Sequence, residues 1–146
     1  MNVEIQIDAS YIDPKVIIIT AEVTEKVNGI VKKLSEDIPQ LLSGIREGAV
    51  KILEKADIIR IYAEAGKTVA VTEDGEYTVR RRLYELEDQL TGDFFARISN
   101  SEIINLKKVD SFDLSFTGTI CVKLSNGDST YVSRRYVSKI KKILGV

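Results

Sequence analysis

The chain of 146 residues reads as an α+β, mainly β protein of antiparallel strands and short helices, and three observations predict it. Short segments alternate apolar and polar residues with the period of two that a half-exposed strand imposes. Asp74-Gly75 and Asn126-Gly127 each stand between two such segments, and both dipeptides favour a hairpin turn with positive φ at both centres. After residue 56 there is too little helix between strands for the crossovers of a parallel sheet, so the pairing is antiparallel.

In chain order, Val3, Ile5 and Ile7 alternate with Glu4, Gln6 and Asp8 and predict a half-exposed strand. A turn at Asp13-Pro14 follows, and Val16 to Ile19 is a short continuous aliphatic run suited to a buried strand. From Thr24 the period changes. Val27, Ile30, Val31 and Leu34 share one helical face, with Thr24 as N-cap and Glu25 in the first turn. Gly29 costs that helix about 1 kcal/mol relative to alanine, so packing must hold it. Pro39 ends the pattern, and Ser43-Gly44 with Gly48 mark a loosened connection. Residues 1–48 are thus expected to form a ββα extension, and residues 49–146 a separate domain.

In the second part Ile59 and Ile61 alternate with Arg60 and Tyr62, and Gly66-Lys67 turns into the strand Thr68 to Thr72. Asp74-Gly75 leads to the return strand Glu76 to Val79. Leu83, Leu86 and Leu90 line one helical stripe, which Gly92 stops. Leu114 and Phe116 lead to a turn at Thr117-Gly118, and Ile120, Val122 and Leu124 alternate up to Asn126-Gly127. Tyr131-Val132 closes that hairpin. Ser133 can cap a last helix with apolar Val137, Ile140 and Leu144 and outward Lys139, Lys141 and Lys142.

Composition removes several classes of function. At 44% hydrophobic the chain can bury a core, so wholesale disorder is excluded. Histidine is absent, which removes the commonest general base and metal ligand. The single Cys121 allows neither an internal disulfide nor a thiolate cluster and fits a reducing cytoplasm. No apolar run approaches the length of a membrane span, and no signal-peptide pattern opens the chain.

The net charge of −1 hides a gradient. From Arg97 to Val146 nine basic residues face four acids, whereas the first 56 residues carry nine acids and seven bases. The basic triplet Arg80-Arg81-Arg82 precedes the middle helix. A solvated face is the ordinary meaning of such runs; a surface that neutralises phosphates is the sharper one. Aromatic residues are few and not interleaved with the basic ones, which favours duplex contact over single-strand stacking.

From about Asp57 onward the sequence resembles the LytTR DNA-binding domain. Three pieces carry the resemblance. They are Ile58 to Glu64 with Tyr77-Thr78-Val79 and Leu83-Tyr84-Glu85-Leu86; Phe94 to Leu106 (FFARISNSEIINL); and Val132-Ser133-Arg134-Arg135-Tyr136. Ser99 stands where that family usually has histidine, so no imidazole acts there. The resemblance implies an elongated set of small antiparallel sheets that offers loops, not a recognition helix, to the major groove. It also implies a stand-alone bacterial transcriptional regulator that binds direct repeats in promoters, without a receiver domain.

By that resemblance Arg135 is the base-reading arginine, whose fork can donate twice to guanine; a helix-start ion pair is the structural alternative. Asn100 matches a position that meets DNA, or else makes a local turn bond. Lys67 and Thr68 occupy the first hairpin loop, which in the family enters the groove. Arg134 supports structure or contacts phosphate. Ser99 and Ser101 can donate to phosphate, and Arg97, Lys107, Lys108 and Lys139 serve backbone contact or fold support. Asn105 is expected as a buried amide that satisfies loop backbone, and Cys121 as an inert side chain.

The expectation is a cytoplasmic, non-enzymatic duplex-DNA regulator with no cofactor, no metal and no small-molecule substrate. Its further partners would be a second copy of the chain, through the Val27/Ile30/Val31/Leu34 stripe, and a membrane protein supplying the input. The alternative is a protein-interaction module that binds a partner through that N-terminal amphipathic helix. An enzyme using Glu64, Glu73 and Asp74 is disfavoured, because those acids surround hairpin turns where exposure is ordinary.

Overall fold

The computed structural model describes residues 1–35, 41–90 and 92–146. Pro39, expected to end the first helix, lies outside them. The chain divides into two units, Met1–Pro39 and Gln40–Val146.

In the first unit a single helix, α1 (Glu25–Ser35), follows chain that forms no strand among the described residues. The expected strands at Val3 to Ile7 and Val16 to Ile19 are therefore corrected. Alternation specifies which side chains share a face, but a strand also needs a neighbour to complete its backbone hydrogen bonds. Here Ile5, Ile7 and Ile19 are almost fully exposed. Thr24 does cap α1, its Oγ1 accepting from the Val27 amide at 3.3 Å. No α1 residue is buried, so the apolar stripe ending at Val31 and Leu34 remains uncovered within this unit.

Besides two single-turn 3-10 helices at Lys55–Asp57 and Leu106–Lys108, the second unit carries, among its described residues, ten strands and two α-helices. In order these are β1 (Ser43–Arg46), β2 (Ala49–Ile52), β3 (Ile58–Glu64), β4 (Lys67–Thr72), β5 (Gly75–Val79), α2 (Leu83–Gln89), β6 (Phe95–Ser99), β7 (Glu102–Asn105), β8 (Val109–Asp113), β9 (Ile120–Leu124), β10 (Ser129–Val132) and α3 (Arg134–Leu144). Seven strands form one sheet in the order β2-β1-β5-β4-β3-β7-β6, and three form a second, β10-β9-β8. Every pairing is antiparallel, as the short connections require.

The segment read as a loosened connection is the β1–β2 hairpin, so the expected boundary at residue 48 falls inside its turn. Glu47 and Gly48 both have positive φ there, 51° and 79°. Gly44 is a packing glycine: a Cβ would collide with the Tyr77 side chain on β5.

Two hydrophobic clusters flank the large sheet. Ile58, Ile61, Ala70, Tyr77, Val79 and Ile103 pack with Leu83, Leu86 and Leu90 of the α2 segment. Ile59, Ala96, Ile98 and Ile104 pack with Ile120, Val122, Leu124, Val132 and Ile140, which joins the small sheet and α3 to β6 and β7. The expected pairing of Ile59 with Ile61 on one face is corrected. A register shift between Ile58 and Arg60 turns Ile58 and Ile61 to one cluster and Ile59 to the other. Cys121 is buried beside Ile120 and Val122.

Turn chemistry also departs from expectation. The turns with positive φ at both centres are Glu47-Gly48, between paired Arg46 and Ala49, and Ala65-Gly66, between paired Glu64 and Lys67, not Asp74-Gly75. Asp74 and Asn126 keep negative φ, and only Gly75 and Gly127 are positive, at 126° and 91°. Asn126 instead folds its side chain onto Asp128, accepting from its amide at 3.0 Å.

Candidate nucleic-acid interface

The candidate interface is built where the start of α3 meets the β6–β7 turn. Ser133 follows β10 in extended geometry and occupies the N-cap position of α3 without a side-chain capping bond, while its amide donates to the Ile98 carbonyl of β6 at 2.9 Å. Ile140 is completely buried and fixes the helix against the second cluster. The opposite face of α3 is exposed. It carries Arg134, Arg135, Lys139, Lys141 and Lys142, and no acid occurs on this helix.

Arg135 projects from the first turn of α3 and is exposed. It makes no ion pair or hydrogen bond among the described residues, so the helix-start ion pair does not form. Asn100 is exposed at the tip of the β6–β7 turn. The Tyr136 hydroxyl donates to its Oδ1 across 3.5 Å, which ties the Arg135 segment to the Asn100 turn.

Arg97 holds that turn from behind. Its Nε donates to the Ser99 carbonyl at 2.6 Å, Nη2 to the Asn100 carbonyl at 2.7 Å, and Nη1 to Glu87 Oε2 at 2.6 Å. Only 11% of its side chain is accessible. These bonds give Arg97 a part in holding the turn. Ser99 and Ser101 complete the turn: the Ser99 hydroxyl accepts from the Ser101 amide at 3.1 Å, and the two hydroxyls lie 3.3 Å apart.

The other expected residues divide by environment. Lys67 is exposed beside the Ala65-Gly66 turn, but Thr68 is only 9% exposed. Successive strand residues face opposite sides, and Thr68 shares the buried face of Ala70, so its expected contact with DNA is corrected. Lys108 is committed to Glu73 at 2.9 Å. Lys107 is exposed, with its ammonium over the Phe94 ring at 4.4 Å from the centroid. Lys139 is exposed and without a partner among the described residues. Arg134 is exposed and lies across Gly118 in the β8–β9 connection, where an added Cβ would stand 3.3 Å from its Nε. Asn105 is the buried amide expected, donating to the Ile58 carbonyl at 2.8 Å and accepting from the Lys107 amide at 3.0 Å.

The sequence reading missed Tyr136 as a link and Lys141 as a companion of Arg134. The second was visible as a spacing of seven, which returns to nearly the same helical flank. Tyr136 had no independent signal, because its use depends on where the β6–β7 turn lies.

An exposed cationic helix face beside a pinned polar turn, carried on antiparallel sheets, defines a mainly β domain with a surface suited to a polyanion. No two helices among the described residues are joined as a helix-turn-helix. Residues 48–145 match the family model of the LytTr DNA-binding domain, and the chain belongs to that family. It is 29% identical over 147 residues to an uncharacterized HTH-type transcriptional regulator of Staphylococcus aureus strain NCTC 8325, covering 100% of this chain and 99% of the relative. A regulator of the same description from strain MSSA476 is 32% identical over 138 residues, 94% of this chain and 90% of that one. A solved LytTr DNA-binding domain from Bacillus cereus superposes with a TM-score of 0.70 at 23% identity, covering 74% of this chain and all of that chain, and shows the shared fold.

Proposed function

We propose that the protein is a transcriptional regulator that reads duplex DNA through Arg135 and Asn100, inserted into the major groove at promoter direct repeats. The observation that supports this reading is that Arg135 is exposed and unpaired among the described residues, while the next residue, Tyr136, hydrogen-bonds Asn100 on the β6–β7 turn. A free guanidinium fork donates two parallel hydrogen bonds and matches guanine O6 and N7. The Asn100 Oδ1 faces Tyr136, which leaves the amide nitrogen to donate to a base or phosphate acceptor. Lys139, on the same exposed helix face, supplies charge without reading sequence. The relatives named as transcriptional regulators, matched along nearly their whole length, support the regulatory part of the reading. Chemistry that acts by charge and hydrogen bonding needs no enzyme activity.

The test begins with selection of bound sequences from random duplexes. Arg135→Ala should then lose about 5- to 150-fold of its preference for the selected site over random DNA, the worth of one bidentate base contact. Lys139→Ala should weaken both duplexes together and flatten the salt dependence. Equal behaviour of the two variants would overturn the assignment of base reading to Arg135.

A further inference from the structure

On the flank of α3 turned away from Tyr136 an open groove of about 610 Å³ is lined by Thr117, Gly118, Arg134, Val137, Ser138 and Lys141. Two cations and two hydroxyls converge there. No carboxylate pairs with Arg134 or Lys141 among the described residues. The acid that precedes this loop, Asp113, is occupied by Ser115, whose amide and hydroxyl donate to its Oδ1 at 2.9 and 2.6 Å.

The loop wall is fixed in place. Thr119 Oγ1 donates to the Val132 carbonyl, just before the Ser133 cap of α3. Phe116 packs edge-on against Tyr131 of β10, with ring centroids 6.0 Å apart. Gly118 has a φ of 75°, and a Cβ there would stand 3.3 to 3.8 Å from Nε, Cζ and Nη2 of Arg134, so the guanidinium lies against the glycine.

From this arrangement we infer that the groove clamps one phosphate of the DNA backbone, with Arg134 and Lys141 donating from α3 and Thr117 from the opposite wall. A phosphodiester suits the donor set: two cations satisfy one anionic group, and the hydroxyls reach its remaining lone pairs. A base edge does not, because it presents no net charge to offset two cations. The site rests on the DNA-binding reading and deepens it. It fixes the backbone on one side of α3 while Arg135 and Asn100 face the bases from the other flank. Neither Arg134 nor Lys141 then carries sequence information.

The test measures binding of the full chain to the selected duplex and to a scrambled duplex across a salt series. Each phosphate neutralised contributes about 0.9 to the slope of log K against log salt. Arg134→Gln and Lys141→Gln should each lower the slope, equally on both duplexes. The double variant should lower it by about 0.9 in total, because both side chains hold the same phosphate. Arg134→Lys, which keeps the charge, should restore most of the slope. Unchanged urea midpoints would show that the variants remain folded.

An unchanged slope in both single variants overturns the clamp while leaving base reading by Arg135 standing. So does a fall of about 1.8 in the double variant, which would mean two separate phosphates. A loss confined to the selected duplex would make Arg134 a base reader and also overturn the clamp. Failure of the unaltered chain to bind either duplex would overturn both the clamp and the DNA-binding reading.

Discussion

The Tyr136 hydroxyl stands 3.5 Å from Asn100 Oδ1 and is the side-chain bridge between α3 and the β6–β7 turn. The bond is long and lies at the surface, so its effect on stability is small. Its effect on geometry is larger. It turns the Asn100 Oδ1 toward Tyr136 and so orients the Asn100 amide.

Tyr136→Phe should therefore change stability by less than about 0.5 kcal/mol and yet reduce affinity for the selected duplex about two- to fivefold. Binding to scrambled DNA should stay the same. Titrations with the two duplexes check this, and an equal loss on both would make Tyr136 a phosphate contact instead.

Arg97 supports the same turn by a different means. Its guanidinium is nearly buried and spends its donors on two turn carbonyls and Glu87. Hydrogen bonds from a charged donor are worth about 1.5–3 kcal/mol each, and the freed carbonyls here can partly rehydrate at the turn surface. Arg97→Met should cost roughly 2–3 kcal/mol in total, read as a lower urea midpoint with an unchanged slope. Arg97→Lys should recover little, since one ammonium cannot span Nε, Nη1 and Nη2. Full recovery by lysine would show that charge alone matters.

How far the sequence could reveal these relationships depended on whether a residue's role was local. The β9–β10 hairpin and the Leu83/Leu86/Leu90 stripe were legible because their periods match the faces that became buried. Asn105 was legible as well, as a polar residue ending an apolar run. The N-terminal strands were misread because alternation does not specify a ladder partner. Thr68 was misread because a hairpin loop was taken to include the first residues of β4, one of which already points inward. Tyr136 and the Arg134 groove depend on contacts between segments distant in the chain, and no local pattern encodes those. Arg97 acts on its own turn and on Glu87 ten residues earlier, but which way its side chain folds is set by the tertiary packing of that turn.

The acid dependence of stability centres on Asp74, far from the interface in sequence. Hydrogen bonds from the Thr72 hydroxyl and from Lys51, at 2.6 and 2.9 Å, hold its carboxyl well below the ordinary range, and the Tyr77 hydroxyl adds a third at 3.1 Å. A carboxyl whose folded pKa is depressed contributes stability above its unfolded pKa of about 3.9 and loses it as pH falls further. Lys51 works in the opposite sense: its pKa is raised by the same pairing, so its contribution persists below its unfolded value and fades at strongly alkaline pH. The carboxylate is about half exposed, so solvent screening keeps the gain modest. Asp74→Asn should lower the urea midpoint at neutral pH, and the gap between variant and native chain should begin to narrow below about pH 5 and still be narrowing at about pH 2, because the folded carboxyl titrates lower still. Midpoints measured through that interval check the assignment, and a gap that stayed constant would mean that Asp74 acts through turn geometry and not through its charge.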